Sequence, residues 1–122
     1  MKDHYNVYTH DVLLVIEVLV EKFDFFEISE SSIYLRDLLK KKNYPALIFD
    51  LRRVKIIDSS VFGFLIEIRN KIKQNGYDII LVSEESYILH IMDMMKVPQI
   101  MKVVPRLEEA FACFDAGETS PG

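Results

Sequence analysis

Residues 56–65 read IIDSSVFGFL, a loop segment that leads into an apolar helix. Asp58 and the two serines after it stand where a helix begins, and short polar side chains of this kind cap helix N-termini. The segment therefore predicts a turn and a helix that begins beside Ser59. The apolar side chains that follow recur at the spacing of one helix face: Val61, Leu65, Ile68 and Ile72.

The residues on both sides of this segment alternate between strand-like and helix-like patterns. Apolar residues at helical spacing predict about four helices. Strands that alternate with such helices imply right-handed crossovers and a mostly parallel sheet, to which the first two strands add an antiparallel hairpin. The predicted fold class is therefore α/β. Short apolar runs predict the strands, at 5–9, 12–20, 46–51, 78–82 and 100–104.

Composition and charge limit the classes of protein to which the chain can belong. It has 122 residues, of which 50% are hydrophobic, so we expect one folded domain at 1–116 and a disordered tail at 117–122. Its 15 basic and 19 acidic side chains give a net charge of −4, which argues against nucleic acid or an anionic membrane surface as the partner. Its four glycines cannot be assembled into either common glycine-rich loop that binds nucleotide phosphates.

Some kinds of location and site are also disfavoured. Cys113 is the only cysteine and cannot form an internal disulfide, so we expect the cytoplasm. The apolar run at 12–20 contains Glu17 and is shorter than the roughly 20 residues that span a membrane, so we expect no membrane insertion. The histidines lack the spacing of metal ligands and no nucleophilic triad stands out, so we expect no metal, no cofactor and no enzymatic activity.

Two interpretations of the turn at 58–60 remain open. In the first, the turn is an N-cap that satisfies the free N–H groups of the helix. In the second, Ser59 accepts a phosphoryl group, which would meet free N–H groups and the positive end of the helix dipole. The added charge of about −1.5 to −2 would change the surface that a partner meets without breaking the helix. Three basic residues before the turn form either a solvated loop or a contact for an acidic partner or a phosphate: Arg52, Arg53 and Lys55.

The chain resembles the STAS domain family, which includes the anti-sigma factor antagonists of bacteria. The resemblance is carried by Phe49-Asp50-Leu51, by Ile57-Asp58-Ser59-Ser60 and by Gly63. It spans roughly residues 5 to 115 and implies a single STAS-type domain of the predicted fold class. Further matching segments lie at 23–24, 75–82, 92–97 and 106–111.

The resemblance implies a regulatory function. In such antagonists the serine after the aspartate, here Ser59, is phosphorylated by an anti-sigma factor that is also a serine kinase, and a phosphatase resets it. The unphosphorylated form binds the kinase, and the phosphorylated form does not. The implied binding surface includes the exposed side of the helix at 61–75. We assign to this surface Asp24, Asp58, Ser60, Val61, Phe62 and Gly63.

An alternative function follows from the same resemblance. Small STAS proteins also resemble the cytoplasmic subunits of lipid-transporting ABC systems, where the domain is a structural partner of the ATPase and needs no phosphoryl transfer. Glycine is common in the family where this chain has Glu21, Val61 and Lys96. Valine tolerates a positive φ and a close backbone approach poorly, so Val61 fits the alternative function more easily.

Overall fold

The computed structural model describes residues 2–40, 46–73 and 78–115. In chain order the strands are β1 (Tyr5–His10), β2 (Leu13–Val18), β3 (Lys22–Phe23), β4 (Ala46–Asp50), β5 (Ile56–Ile57), β6 (Asp78–Val82) and β7 (Lys102–Val104). Five of them form the main sheet in the order β1-β2-β4-β6-β7. β1 and β2 are antiparallel, and the other neighbouring pairs of this sheet are parallel. The predicted α/β fold class with an N-terminal antiparallel hairpin is therefore confirmed.

The helices alternate with the strands along the chain, as the sequence predicts. Short 3-10 helices at Lys2–His4 and Val97–Gln99 precede β1 and β7. The α-helices of the described residues are α1 (Phe25–Lys40), α2 (Ser59–Lys73), α3 (Ser86–Met94) and α4 (Leu107–Asp115).

The two faces of the main sheet bury separate groups of apolar side chains. One face packs against α1, α2 and α3, with Phe49 on β4 and Leu65 on α2 both completely buried. The other face packs against α4, where Ala110 and Cys113 contact side chains such as Ile48. Adjacent residues of a strand point to opposite faces, so β4 is buried at every position and its sequence is continuously apolar up to Asp50.

A second, two-stranded sheet was not predicted from the sequence. β3 and β5 run parallel, with Lys22 paired with Ile56 and Phe23 paired with Ile57. The backbone N–H groups of Lys55 and Ile56 both donate to the carbonyl oxygen of Glu21. This sheet joins the segment before α1 to the segment before α2, and it therefore positions the two helix N-termini.

Several predicted boundaries differ from the observed ones. The strand predicted at 12–20 ends at Val18, and the strand predicted at 100–104 begins at Lys102. The predicted tail at 117–122 lies outside the described residues.

One of the three positions where the family commonly has glycine adopts a left-handed backbone. Lys96 has φ 60° and ψ 30°, between α3 and the 3-10 helix that follows it. Among the described residues other than glycine, Asp11 is the only further residue with positive φ, so Glu21 and Val61 have ordinary backbone geometry. Val61 lies inside α2, which shows that valine is compatible with the fold at that position.

Candidate functional site

The N-termini of α1 and α2 lie side by side and share one carboxylate. Asp58 directly precedes α2, and its Oδ1 accepts a hydrogen bond from the backbone N–H of Ser60 at 3.1 Å. Its Oδ2 accepts a hydrogen bond from the backbone N–H of Phe25, the first residue of α1, at 3.1 Å. Asp58 therefore caps α2, as the first interpretation of the turn predicts, and also satisfies a free N–H group of α1.

The surroundings of Asp58 favour its ionised form. Burial opposes ionisation, but hydrogen bonds from the Ser60 hydroxyl and from the N–H groups of Phe25, Ser60 and Val61 outweigh it and lower the pKa of the Asp58 carboxyl. The Ser60 hydroxyl lies 2.5 Å from Oδ1. A negative charge is therefore already present beside Ser59 at neutral pH.

Asp24 plays the corresponding part at α1. Its Oδ1 accepts a hydrogen bond from the backbone N–H of Glu27 at 3.1 Å, and its Oδ2 lies 3.7 Å from the Lys22 ammonium. The residue is only 9% exposed. Asp24 therefore belongs to the predicted site, next to the Phe25 N–H that Asp58 binds, but its carboxylate acts mainly as a helix cap.

Ser59 and Gly63 form the exposed part of α2 at this end. Ser59 is the first residue of α2 and is exposed, and no described group forms a hydrogen bond with its side chain. Gly63 is exposed one helical turn later, on the same side of the helix. A Cβ added at Gly63 would meet no described atom within 4 Å apart from its chain neighbours and the backbone of its own helix, so a partner could approach the α2 backbone closely there.

The structure corrects the assignment of Val61 and Phe62 to the binding surface. Both residues are 0% exposed and lie in the apolar core beneath α2. Val61 is two residues after Ser59, about 200° around the helix, so it lies on the side opposite Ser59. Phe62 is three residues after Ser59 and about 60° to one side of it, on the flank of α2 that packs into the core. A partner on the exposed face of α2 cannot contact their side chains.

Two of the N–H groups that a phosphate on Ser59 was expected to meet already have partners. The Ser60 N–H donates to Asp58 Oδ1, and the Val61 N–H donates to the Asp58 carbonyl oxygen at 3.3 Å. These groups are therefore already satisfied by Asp58.

Apolar side chains beside the site were missed in the sequence. Phe25 and Phe26 at the start of α1 are 56% and 71% exposed, and their rings meet edge to face with centroids 5.7 Å apart. Ile56 on β5, two residues before Asp58, is also half exposed. Two successive aromatic residues in a helix cannot both face the core, and this signal was available in the sequence.

The basic residues before the turn are partly neutralised by the chain itself. The Arg52 guanidinium donates hydrogen bonds from Nε and Nη2 to the two carboxylate oxygens of buried Asp50, at 2.8 Å and 2.7 Å. Arg53 Nε lies 3.7 Å from Glu17 Oε2. Lys55 remains exposed. Arg52 and Arg53 therefore support the ends of the inner strands β4 and β2. The geometry does not single out the three basic residues as a contact for an acidic partner.

The described residues contain neither a candidate metal cluster nor a helix that could span a membrane. Over 2–40, 46–73 and 78–115, no three His, Cys, Asp or Glu residues are grouped so that they could hold a metal ion. No helix in this part of the chain has the length and apolar character needed to cross a membrane.

A family comparison identifies the domain type. The model of the STAS domain matches residues 4–110, which is most of the chain. No curated protein matches the sequence significantly.

Solved structures of similar fold agree with that comparison. An anti-sigma factor antagonist from Mycobacterium paratuberculosis superposes with a TM-score of 0.77 at 16% identity, over 91% of this chain and 92% of the other. An anti-sigma-factor antagonist (STAS) domain protein from Planctomyces limnophilus gives 0.78 at 18% identity, over 89% and 96%. The Bacillus cell fate determinant SpoIIAA in its phosphorylated form gives 0.65 at 15% identity, over 88% and 96%. At these identities the likeness shows a shared fold.

Proposed function

The chain belongs to the STAS domain family, and we propose from this premise that it is a regulatory binding protein of the anti-sigma factor antagonist kind. In its unphosphorylated form it binds an anti-sigma factor that is also a serine kinase. Phosphorylation of Ser59 by that kinase ends the binding, and a phosphatase restores the first state. The protein acts in the cytoplasm by binding and has no catalytic site of its own.

The accessibility of the Ser59 hydroxyl carries the proposal. This hydroxyl is exposed at the first residue of α2, and within the described residues it has no hydrogen-bond partner. The neighbouring Ser60 hydroxyl is half-buried and donates its proton to Asp58. A kinase can therefore reach Ser59 without opening the helix, whereas modification of Ser60 would break the cap of α2.

Charge supplies the mechanism of the proposed switch. A phosphoryl group on Ser59 adds a charge of about −1.5 to −2 next to the ionised carboxylate of Asp58. Because Asp58 already binds the Ser60 and Val61 N–H groups, they do not neutralise the new charge. The phosphate is therefore presented to the partner, where a like charge at the interface costs on the order of several kcal/mol.

The apolar side chains around the site support a protein partner. Phe25, Phe26 and Ile56 are exposed on the segments that the Asp58 carboxylate and the small sheet hold beside Ser59. Exposed aromatic residues of this kind are the usual anchors of protein interfaces. The proposed partner surface therefore consists of Ser59 and Gly63 on α2 together with these three side chains.

Mass spectrometry of protein from its native host tests the modification directly. Cleavage after Lys55 and Arg69 releases a peptide of residues 56–69, whose only serines are Ser59 and Ser60. Fragment ions between them assign the phosphate. We expect it on Ser59, and a phosphate on Ser60 instead would contradict the proposal.

A charge substitution tests the switch. With the kinase identified in the same host, we expect Ser59→Asp to weaken its binding by at least about tenfold and Ser59→Ala to leave binding largely intact. Ser86→Asp is the matched control, because Ser86 is likewise exposed at the first residue of a helix, α3. Equal binding by Ser59→Asp and the unmodified protein would exclude the switch.

The alternative function predicts a different partner. Purification of a complex containing a transport ATPase, with residues 56–69 unmodified in every growth condition, would support the structural subunit of a lipid-transporting ABC system. A complex with a serine kinase supports the antagonist. We favour the antagonist because Ser59 is exposed and unpaired within the described residues, a feature that a purely structural subunit does not need.

A further inference from the structure

A cavity of about 240 Å³ lies between the C-terminal halves of α1 and α2. It is separate from the proposed phosphorylation site, because α2 rises about 1.5 Å per residue and Lys71 lies about 18 Å along the helix from Ser59. The cavity is lined by three cationic and three apolar side chains: Arg36, Lys40, Lys71, Leu39, Ile68 and Ile72.

The Arg36 guanidinium is held in place at this cavity. Its Nε and Nη2 donate to Glu67 Oε2 at 3.1 Å and 2.7 Å, and its central carbon lies 5.1 Å from the centroid of the Phe64 ring. Within the described residues, the donors on Nη1 have no partner. An anion in the cavity would therefore meet a cation that is already ordered, which reduces the entropy lost on binding.

The local charge around the cavity is positive. Glu67 is the carboxylate that pairs with the lining cations, and Lys71 Nζ lies 3.6 Å from its Oε2. Lys40 has no ion pair within the described residues. Lys40 and Lys71 also complement the negative ends of the two helix dipoles. That role does not account for the ordered Arg36 or for the apolar side chains at the bottom of the cavity.

The rest of the lining is apolar and suits a hydrocarbon group. Ile68 is completely buried and forms the floor, and Leu39 and Ile72 are half-buried beside it. The volume is below the roughly 300–1,000 Å³ of sites for drug-sized ligands, so the hydrocarbon must be short. The positive charge and the apolar lining of the cavity together favour a ligand with an anionic head and an apolar tail.

We propose that this cavity binds a small single-chain amphipathic anion, a medium-chain fatty carboxylate. The carboxylate contacts Arg36, Lys40 and Lys71, and the alkyl chain packs on Leu39, Ile68 and Ile72. This site is independent of the proposed phosphorylation of Ser59.

Titration of the full chain with decanoate below its micelle concentration tests the proposal. We expect saturable changes in the amide signals of residues that line the cavity, in 15N-correlated NMR spectra, and matching heats in calorimetry. Acetate supplies the anion without the tail, and decyltrimethylammonium supplies the same tail with the opposite charge. Both should bind much more weakly than decanoate.

Charge-reversal variants identify the site. Lys40→Glu and Lys71→Glu should each weaken decanoate binding by about fivefold, the upper range for one partly exposed ion pair. Lys73→Glu is the matched control, because Lys73 is exposed in the same last turn of α2 but does not line the cavity. It should bind decanoate like the unmodified protein, and circular dichroism should show all three variants folded.

Three outcomes would overturn the proposal. The first is the absence of any saturable change with decanoate. The second is equal binding of decyltrimethylammonium, which would show that the tail alone is recognised. The third is an equal loss of binding in Lys73→Glu and Lys71→Glu, which would show that decanoate responds only to the overall charge of α2.

Discussion

Lys96 is one of two described residues other than glycine with a positive φ, and its backbone carries a local cost. Its φ of 60° places its Cβ close to the following carbonyl oxygen, which costs an L-residue roughly 1–2 kcal/mol. Lys96→Gly removes this crowding but increases the entropy of the unfolded chain. We therefore expect the free energy of unfolding to rise by about 0.5–1 kcal/mol, measured by urea denaturation.

A second glycine substitution controls for this effect. Glu30→Gly lies in the interior of α1 at an exposed position, where glycine costs roughly 1 kcal/mol relative to a good helix former, so it should lower the stability. A loss of stability in both variants would show that the Lys96 backbone is not strained in solution.

The sequence predicted the turn before α2 better than the orientation of the side chains that follow it. Ser59 begins α2 and Asp58 caps it, as the turn at 58–60 indicated. Val61 and Phe62 were assigned to the surface because they follow Ser59 closely in the chain, although the helical spacing already placed Val61 on the apolar face. The angle of a residue around the helix axis decides whether its side chain is exposed. Its closeness to Ser59 along the chain does not decide this.

At the scale of elements, the long apolar segments were predictable and the short pairings were not. The α-helices of the described residues and the strands of the main sheet follow the apolar periodicity of the chain. β3 and β5 have only two residues each, and their paired residues are more than thirty positions apart in the chain. A local sequence pattern therefore does not predict them. The hydrogen bond from the Phe25 N–H to Asp58 depends on that pairing, so it could not be predicted from the sequence either.

Gly63, one turn into α2, gives a prediction with two separate readouts. Gly63→Ala adds a Cβ into open space, so it should stabilise the helix by about 0.5–1 kcal/mol through its higher helix propensity. If the proposed partner approaches the α2 backbone closely, the same Cβ should weaken its binding. Thermal unfolding measures the first effect and titration with the partner measures the second.

Asn70→Ala provides the comparison on the same helix. Asn70 is exposed on α2 but lies about two turns beyond Gly63, away from the proposed surface. It should change partner binding little. Tighter or unchanged binding by Gly63→Ala would show that the partner does not approach α2 at that turn.

At the scale of the whole molecule, one buried carboxylate fastens the N-terminal segment to the helix layer. Glu27 on α1 accepts hydrogen bonds from the Tyr5 hydroxyl at 2.8 Å, the Ser31 hydroxyl at 2.7 Å and His4 Nδ1 at 2.9 Å. Burial opposes its ionisation, but these three partners lower the pKa of the Glu27 carboxyl. β1 is an edge strand of the main sheet, so this cluster supplies a second attachment besides β2.

This arrangement predicts a pH-dependent stability. The pKa of Glu27 is lower in the folded than in the unfolded protein, so its contribution is present above the unfolded value of about 4.3 and is lost as the pH falls through the folded value. Glu27→Gln should cost roughly 1–3 kcal/mol at pH 7, because an amide nitrogen then faces hydrogen-bond donors. Urea denaturation at pH 7 and near pH 3 should show the difference between the two proteins shrinking in acid.

Glu30→Gln is the control for this prediction. Glu30 is exposed on the same helix, and its substitution should change the stability little at either pH. A difference between Glu27→Gln and the unmodified protein that stays constant from pH 7 to pH 3 would show that the carboxylate charge does not contribute.

The hydrogen bond between the Phe25 amide and Asp58 gives the molecule a natural spectroscopic probe. It links residues 33 positions apart, so its persistence requires that both helix starts keep their places. The exchange rate of the Phe25 amide proton with solvent deuterium consequently measures how often the two helices separate at this end. Following that single signal would report on any event at Ser59 without attaching a label.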